Sequence, residues 1–576
     1  MEIENKLTGY PSIDKPWLKY YTEEAINAPL PECTIYEYLW ENNKDRLEDI
    51  AIIYFGKKIT YGELFENIDK TVRAFSAIGV KYGDIVIVAT VTTPETIYAF
   101  YALNRLGAIP NMVDPRTSVE GIRDYIKEVN AKYVLSLDVA CPKTEEAIKN
   151  TAVQKVIVSS PADSLPASKK VVYRISNRKK RLPNDTYIYW KSFIENGKNA
   201  NPSFPPYKKN TCCVIVHTGG TTGMPKGVML SNDNLNCSVV QCCNSGFDFE
   251  RYQRWLGIMP PFIAYGIING VHLPLTKGMP LTIIPNFDPN SYDKLLLKHK
   301  PNHIAGVPSH YGKIMESKKL AGKDLSFILS PIVGGDGTKI HMETEISAFL
   351  SSHNCKKGLI KGYGMTEVCA AVTGTAIRNA NKLGSVGAPF SHSVVSVFDS
   401  ETGKELSYGK TGEICILSPN TMMGYYENET ETANILKKHD DNYIWVHSGD
   451  LGYMDEDGCL FIVGRSKRLI IRHDGFKIFP TLIENTVSGH AAVNACCAVG
   501  VRDTNFSQGK LPIVYVSLKS EFFGKENAVK IELYKMCRKE LPEYEQPIDF
   551  IFKKDLPLTT IGKVDYRALE QQAENK

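Results

Sequence analysis

The sequence predicts an α/β protein with a large N-terminal domain and a small α+β C-terminal domain. Three observations carry this prediction. Segments with helical and strand character alternate through most of the first 350 residues, short β-branched runs separated by turn signals follow, and the last 110 or so residues have strands and a helix of their own. Alternating strands and helices favour parallel, doubly wound sheets, so the large domain is expected to combine doubly wound α/β subdomains with a β-rich subdomain.

The alternation begins close to the N-terminus. A helical pattern runs from 60 to 78, an apolar β-branched run covers 84–90, a second helical pattern spans 94–106, and another strand-like run covers 132–137. Residues 159–210 interrupt this rhythm with many Ser, Pro, Lys and Asn residues and the basic run at 178–181. Such runs are usually solvated, so we expect a surface insertion here, with contact to a membrane surface or an anionic ligand as the alternative.

After residue 211 the α/β pattern resumes to about 349. Strands are then predicted at 394–398, 412–416 and 459–463, and the Asp-Glu-Asp-Gly sequence at 455–458 indicates a tight hairpin. A strand at 511–518 and a helix at 526–540 mark the C-terminal domain.

Composition excludes several classes of protein. The 576 residues are 43% hydrophobic and 23% charged, as in ordinary globular proteins, and a net charge of +4 gives little attraction for nucleic acid. The start of the chain has no secretory signal pattern, and no apolar stretch of about 18 residues predicts a membrane span. Fourteen cysteines without a C-x-x-C spacing indicate reduced, buried thiols. We therefore expect a soluble cytoplasmic protein without nucleic-acid or integral membrane contacts.

One stretch carries most of the chemical information. An apolar run at 214–216 leads into a loop of small donors, followed by Pro225, Lys226 and Gly227; the loop residues are Thr218, Gly219, Gly220, Thr221, Thr222 and Gly223. Glycines let backbone amides approach an anion, threonine hydroxyls add donors, and lysine adds a positive charge. The loop therefore predicts a polyphosphate site, although the Gly-Lys-Ser/Thr of a Walker motif is absent.

This loop resembles the phosphate-loop signature of the acyl-adenylate-forming superfamily, the AMP-dependent synthetases and ligases, and among them an acyl-CoA synthetase. Further matches occur in the order that the superfamily shows, at 60–64, 362–367, 423–426, 447–452, 464–467 and 557–563. The resemblance covers about residues 34–570. It implies an enzyme that joins a carboxylic acid to ATP, releasing pyrophosphate and forming acyl-AMP, and then transfers the acyl group to the thiol of CoA.

The resemblance also implies roles for individual residues. Lys563, Lys226, Thr366 and Glu367 are expected to be catalytic: Lys563 bridges the carboxylate and the α-phosphate, and Glu367 binds Mg²⁺. Tyr363 is expected to stack on adenine, Asp450 to accept hydrogen bonds from the ribose hydroxyls, and Arg465 to reach the ribose and phosphate. The remaining ATP- or AMP-binding residues expected are Gly334, Gly335, Asp336, Gly364, Met365 and Ile462, together with the loop 218–223. Asp336 and Gly337 depart from the commoner residues of the adenine loop.

The domain boundaries follow from the same resemblance. We expect an adenylate-forming domain at 1–464, a hinge at 465–467 centred on Lys467, and a C-terminal domain at 468–576 that rotates between the two half-reactions. Gly475 would line the CoA tunnel after rotation, since glycine admits a close-passing pantetheine arm. The stretch 472–475 is one residue longer than usual, which would change the shape of that tunnel.

The acyl pocket is expected to include Phe262, Ile263, Tyr265 and Gly306. Ile263 stands where a histidine or an aromatic gate often lies, so a gate of the usual kind is not expected. These segments are mostly apolar and have no evident basic anchor, which favours a fatty or aromatic acid. Two alternatives remain: an adenylation enzyme that loads a separate carrier protein, and a non-catalytic nucleotide-binding module. A carrier protein and a second copy of the chain are possible partners.

Overall fold

The computed structural model describes residues 7–176, 183–218, 225–377, 380–506, 508–558 and 564–574. The strands in these ranges are β1 Ile50–Tyr54, β2 Lys57–Thr60, β3 Ile85–Ala89, β4 Ile109–Met112, β5 Tyr133–Leu137, β6 Lys155–Ser159, β7 Tyr187–Tyr189, β8 Cys212–His217, β9 Gly227–Ser231, β10 Trp255–Gly257, β11 Leu281–Ile283, β12 His303–Gly306, β13 Ser330–Val333, β14 Ile360–Tyr363, β15 Thr373–Gly374, β16 Ala388–Pro389, β17 Val394–Phe398, β18 Gly412–Leu417, β19 Gly424–Tyr425, β20 Leu436–Lys438, β21 Ile444–Met454, β22 Leu460–Arg465, β23 Ile470–Ile471, β24 Lys477–Ile478, β25 Val493–Arg502, β26 Lys510–Leu518 and β27 Asp549–Phe552.

The α-helices of the same ranges are α1 Pro11–Asp14, α2 Glu23–Ile26, α3 Ile35–Glu41, α4 Tyr61–Ala77, α5 Pro94–Leu106, α6 Val119–Glu128, α7 Cys141–Ala147, α8 Ala167–Ser176, α9 Trp190–Asn196, α10 Asn232–Cys243, α11 Leu273–Thr276, α12 Tyr292–His299, α13 Pro308–Met315, α14 Ile340–Ser352, α15 Glu429–Ile435, α16 Pro480–Ser488, α17 Glu526–Glu540 and α18 Tyr566–Glu574. A π-helical segment, Tyr265–His272, precedes α11. None of these helices combines the length and the apolar character that crossing a bilayer requires.

Two large, mostly parallel sheets form the body of the molecule. One has nine strands in the order β16-β15-β14-β13-β12-β10-β11-β1-β2, and the other has eight in the order β19-β9-β8-β4-β3-β5-β6-β7. In both sheets the antiparallel strands lie at the ends, while the central pairs are parallel. One hydrophobic core contains residues of both sheets and of α4 and α5, so the sheets pack as one body.

A third sheet and a separate C-terminal unit complete the fold. Strands β17, β18, β21 and β20 form an antiparallel sheet in which β22 also pairs with β21. The C-terminal unit has the β23–β24 hairpin, a three-stranded sheet β25-β26-β27 and its own core with α16 and α17. The predicted fold class, with a large α/β part, a β-rich part and a small α+β part, is confirmed.

Local signals explain why several predicted helices have the expected bounds. Thr60 and Glu63 form a reciprocal capping box at the start of α4. At α5, Thr93 caps the first turn, Pro94 occupies the first helical position, and Gly107 ends the helix at φ +67°. Glycine adopts this left-handed conformation without steric cost.

The interpretation of 159–210 as a solvated insertion is wrong in part. Its strand β7 pairs with β6 in the eight-stranded sheet, and Phe193 of α9 is fully buried against Phe75 of α4, with ring centroids 5.0 Å apart. The segment therefore contributes an edge strand and a packed helix to the body. The basic residues at 178–181 lie outside the described residues.

All fourteen cysteines lie within the described ranges. Ten of them are buried, among them Cys213, Cys242, Cys496 and Cys497 from the three adjacent pairs. The expectation of reduced, buried thiols holds for these residues.

Candidate functional site

The expected site residues gather at one edge of the nine-stranded sheet. Gly306 ends β12, Gly334 follows β13, and Tyr363 ends β14. These three strands are parallel neighbours, so their carboxyl ends lie side by side. Ligands of open α/β sheets bind outside the carboxyl ends of the strands. This edge is therefore the expected position for a nucleotide.

Three side chains meet at the expected ribose position. The Tyr363 hydroxyl donates to Oδ2 of Asp450 at 2.9 Å, and Nε of Arg465 lies 2.9 Å from Oδ1 of the same carboxylate. Asp450 on β21 is the register partner of Arg465 on β22. The carboxylate is buried while Arg465 is exposed. Burial and the nearby negative charge of Asp450 raise the pKa of Tyr363, so this phenol stays protonated and donates.

Glu367 lies in a short turn directly after this cluster. Its side chain is buried, and one carboxylate oxygen accepts a 2.7 Å hydrogen bond from the hydroxyl of Tyr425 on β19. Burial raises the pKa of Glu367, and the hydrogen bond from Tyr425 together with the charges of Arg465 and Lys226 opposes that shift. Carboxylate oxygens are ligands that Mg²⁺ prefers, so Glu367 is the candidate to hold it beside an anionic ligand.

Lys226 and Thr218 lie at the two ends of the predicted phosphate loop. The backbone N–H of Thr218 donates to the carbonyl of Lys226 at 3.1 Å, which closes the base of the loop. Nζ of Lys226 forms an ion pair with Glu431 of α15 and lies 4.8 Å from the ring centroid of Tyr425. Five expected loop residues, Gly219, Gly220, Thr221, Thr222 and Gly223, lie outside the described residues.

Tight backbone packing surrounds the expected adenine position. A Cβ on Gly364 would lie 2.2 Å from the carbonyl oxygen of Ala370, so only glycine fits there. Gly335 has φ +76°, which also favours glycine. The Asp336 carboxylate accepts a 3.0 Å hydrogen bond from the backbone of Gly337.

Met365 and Ile462 are half-buried against the core that contains Tyr363, and Thr366 begins the turn that carries Glu367. The structure thus brings Tyr363, Gly364, Met365, Thr366 and Glu367 together with Asp450, Ile462 and Arg465.

Three of the expected acyl residues, Phe262, Ile263 and Tyr265, follow β10, the strand beside β12, and the fourth, Gly306, ends β12. Phe262 is buried, and Ile263 and Tyr265 pack against both main cores of the large domain. A Cβ on Gly334 would lie 3.8 Å from the Tyr265 ring, so this ring lies next to the expected adenine loop. The Tyr265 hydroxyl is buried and has no hydrogen-bond partner among the residues that the structure describes. A Cβ on Gly306 would lie 2.8 Å from Nδ1 of His310.

The structure adds one cation to this region. The guanidinium of Arg116, on the loop after β4, lies 5.6 Å from the ring centroid of Phe262 and forms two-pronged hydrogen bonds with Asp114. The sequence analysis looked for a basic residue only within the pocket segments. It therefore missed Arg116, which is far from those segments in the chain.

The residues expected for the second half-reaction are spread over the C-terminal unit. Lys467 is exposed in the 3₁₀ turn after β22, and Gly475, at φ +83°, forms the exposed tip of the β23–β24 hairpin. Lys563, the expected adenylation lysine, lies outside the described residues.

Tyr425 and Glu431 were not among the expected site residues. Tyr425 could have been predicted, because it lies in the motif at 423–426 that is part of the resemblance. Glu431 gave none, because it is separated from Lys226 by 205 residues.

Comparison with known proteins places this geometry in a family. Residues 39–426 match the family described as AMP-binding enzyme, and residues 482–563 match its C-terminal domain. A long-chain-fatty-acid–CoA ligase of Bacillus subtilis is 28% identical over 571 residues, covering 97% of this chain and 99% of that protein. A probable 4-coumarate–CoA ligase of Dictyostelium discoideum is 25% identical, covering 95% and 96%.

Among solved structures, the o-succinylbenzoate CoA synthetase of Bacillus subtilis in complex with ATP and magnesium ion superposes with a TM-score of 0.73 at 22% identity, covering 93% of this chain and 98% of that one. At this identity the likeness concerns the fold alone.

Proposed function

The chain belongs to the AMP-binding enzymes, and its class is that of the AMP-forming acid–CoA ligases; from this we propose its reaction. An oxygen of a carboxylic acid attacks the α-phosphorus of ATP, the bond from that phosphorus to the bridging oxygen breaks, and pyrophosphate leaves. The sulfur of CoA then attacks the acyl carbon, its proton is lost, and AMP leaves as the thioester forms.

The observation that carries this proposal is the joint placement of Tyr363, Asp450 and Arg465 beside Glu367 and Lys226. An ionised carboxylate only accepts hydrogen bonds, so Asp450 suits the two hydroxyls of a ribose. The planar guanidinium of Arg465 suits a phosphate oxygen nearby. We assign Tyr363 to the adenine face and Lys226 to the outer phosphates.

Rate acceleration in this scheme comes from position and charge. The reacting carboxylate and the α-phosphate are both anionic, so cations that lie between them lower the barrier. We assign this role to Lys563, with Thr366 as a donor to the α-phosphate. Glu367 would hold Mg²⁺, whose charge offsets that of the phosphates when it is bound.

For the acid, we propose a fatty or aromatic chain. Phe262, Ile263 and Tyr265 offer an apolar surface, and Tyr265 adds a single buried hydroxyl. Arg116 does not change this assignment, because its charge is already paired with Asp114. CoA is the proposed acceptor, and loading of a separate carrier protein is the second candidate, which would use the same first half-reaction.

The first experiment is acid-dependent exchange of pyrophosphate into ATP across fatty, aryl and amino acids, followed by thioester formation with CoA. We expect exchange with one apolar acid class and a CoA thioester of the same acid. Exchange without a CoA thioester would favour the carrier protein.

Lys563→Ala is expected to abolish exchange, whereas Lys554→Ala, which removes an exposed lysine of the same unit, is expected to retain it. Equal exchange by wild type and Lys563→Ala would contradict the proposed mechanism. Nucleotide binding without any exchange by wild type would favour the non-catalytic module.

A further inference from the structure

Four polar side chains form a connected cluster on the strands next to Asp450. They belong to the β-rich sheet and are Glu413 and Cys415 of β18, His447 of β21, and His439 of the turn before β21. Glu413 is the register partner of Leu451 and Cys415 that of His447, so the register shifts between them and three residues of β21 lie opposite one residue of β18. We call these four residues the Glu413 cluster.

Both oxygens of the Glu413 carboxylate accept hydrogen bonds from β21. Nδ1 of His447 lies 2.9 Å from Oε2, and the backbone N–H of Gly449 donates to Oε1 at 3.0 Å. Burial opposes ionisation of Glu413, but the hydrogen bonds from His447 and Gly449 outweigh it and hold the pKa below its ordinary value. Glu413 is therefore a carboxylate that accepts at both oxygens.

His439 extends the arrangement to a chain of three side chains. Its Nε2 lies 2.9 Å from Nε2 of His447. One of these two ring nitrogens donates to the other. The ring of His439 is held in turn by Trp445 and Phe398, with centroids 5.7 and 4.5 Å away.

The end of this chain is Gly449, the residue before Asp450. Gly449 has φ +68°, and its carbonyl accepts a 3.1 Å hydrogen bond from the hydroxyl of Ser466. Its peptide groups are thus held on one side by Glu413 and on the other by Ser466. This fixes the backbone from which the Asp450 carboxylate extends towards Tyr363 and Arg465.

We propose that Glu413, oriented by His447, is a positioning residue for nucleotide recognition: it sets the Gly449–Asp450 backbone so that Asp450 meets the ribose hydroxyls. This inference rests on the proposed function, because it uses Asp450 as the ribose ligand. Glu413 itself does not touch the nucleotide in this scheme.

A metal ion would be a different use of the same residues. Ligand atoms of Glu413, Cys415 and His447 lie within 4.8 Å of one another. However, both Glu413 oxygens are already hydrogen-bonded, and burial raises the pKa of the Cys415 thiol well above its ordinary value. The contacts therefore favour a hydrogen-bonded support.

The test compares ATP with 2′-deoxy-ATP, which lacks one of the two ribose hydroxyls. The quantity measured in pyrophosphate exchange is kcat/KM for ATP divided by kcat/KM for 2′-deoxy-ATP. Glu413→Ala is expected to lower this ratio about tenfold, because a charge-assisted hydrogen bond that positions Asp450 is lost. The KM for the acid should stay within about twofold, since the acyl pocket is built from other strands.

Two variants refine the expectation. Glu413→Gln keeps an acceptor for the Gly449 N–H and should recover most of the ratio. Cys415→Ser exchanges the neighbouring thiol on the same strand for a hydroxyl without touching Gly449, and it should leave the ratio unchanged. If Glu413→Ala does not fold, Ser466→Ala, which frees the Gly449 carbonyl from the exposed side, should lower the ratio in the same direction.

Asp450→Ala distinguishes a failure of the ribose assignment of Asp450 from a failure of the positioning role of Glu413. If it leaves the ratio unchanged, the ribose assignment in the proposed function fails. If Asp450→Ala lowers the ratio while Glu413→Ala and Ser466→Ala do not, the positioning role alone is overturned. One equivalent of zinc in the purified wild-type protein that is lost in Cys415→Ser would also overturn it.

Discussion

Tyr425 connects two residues that the resemblance assigns to ATP. Its hydroxyl donates to Glu367, and its ring lies 4.8 Å from the Lys226 ammonium, which is paired with Glu431. In the state that the structure describes, Lys226 is therefore neutralised by a carboxylate of its own chain. A polyphosphate must replace Glu431 as the partner of Lys226 before that lysine can act on it.

This arrangement predicts that Glu431→Gln binds ATP more tightly. The pair is partly exposed, so its contribution is about 0.5–1 kcal/mol, which corresponds to a KM for ATP lowered about two- to fivefold. The measurement is the KM for ATP at saturating acid. Glu429→Gln, which removes an exposed carboxylate from the same helix, serves as the control for general charge effects and should change KM little. An unchanged or higher KM in Glu431→Gln would contradict the prediction.

At the residue scale, the sequence could identify which residue types form the site but not their partners. Tyr363, Asp450 and Arg465 contact one another, and Glu367 contacts Tyr425, while the roles assigned to these residues stay predictions. The Lys226–Glu431 pair joins elements far apart in the chain, and a lone glutamate in a helix is ordinarily solvated. Arg116 beside Phe262 escaped prediction for the same reason.

The first turn of α5 contains a carboxyl group that the proposed mechanism does not use. Glu95 is fully buried, and one of its oxygens accepts a 2.5 Å hydrogen bond from the Ser164 hydroxyl. Its other oxygen is buried without a hydrogen-bond partner among the described residues. Burial, only partly opposed by Ser164, raises the pKa of Glu95 to about 7.

The sign of the pH effect follows from this raised pKa. Below the unfolded-state pKa of the carboxyl group both states are protonated, so folding carries no ionisation cost. As pH rises towards 7, the unfolded state loses the proton first, and the folded state is progressively destabilised, by up to about 3 kcal/mol above pH 7.

The change in the free energy of unfolding caused by Glu95→Gln should therefore be more stabilising at pH 8 than at pH 5. Comparing the two pH values cancels any constant cost of the amide. The measurement is urea unfolding of both proteins at both pH values. An equal effect of the substitution at pH 5 and pH 8 would show that Glu95 ionises normally in the folded protein.

A substitution in α9 tests whether the segment 159–210 packs against the body of the molecule. Phe193→Ala should lower the free energy of unfolding by about 3–5 kcal/mol, because a fully buried aromatic ring is lost from the contact with Phe75. Phe204 of the same segment is exposed, so Phe204→Ala should have a much smaller effect. Thermal unfolding measures both, and equal effects would support the original expectation of a solvated insertion.

At the element scale, prediction succeeded for two of the longer helices, of which α5 has a capping side chain at its start and α17 has none. The bounds of α5 agree with the predicted 94–106 and those of α17 with 526–540. It failed for β7 and α9 because β7 has only three residues and the polar surroundings of Phe193 hide its buried face. The order of the strands could not be predicted either. For example, β10 lies between β11 and β12, and no local sequence pattern encodes those pairings.

In the whole molecule, polar contacts join the C-terminal unit to the large body. Nζ of Lys339, before α14, donates to Sγ of Cys496 on β25 at 3.4 Å, and Lys477 pairs with Glu401 at 3.2 Å. A rotation about the expected hinge would exchange these contacts for others. The boundaries 1–464, 465–467 and 468–576 stay predictions.

Lys467→Pro should separate the two half-reactions if the hinge turns at this residue. Proline fixes φ near −65°, so it restricts the chain to one orientation, and the half-reaction that needs the other should fall at least about tenfold. Pyrophosphate exchange and thioester formation from preformed acyl-AMP measure the two steps separately. Lys467→Ala controls for the lost charge. Equal changes in both half-reactions would place the pivot elsewhere.

The close approach of Tyr265 to Gly334 has a consequence for redesign of this enzyme. If the proposed assignments hold, one ring borders both the acyl pocket and the adenine loop, so a library that varies Tyr265 to accept new acids will also select for altered ATP use. Variation confined to Phe262 and Ile263 leaves that shared ring intact. We therefore expect libraries at Phe262 and Ile263 to change acid selectivity with less effect on ATP use.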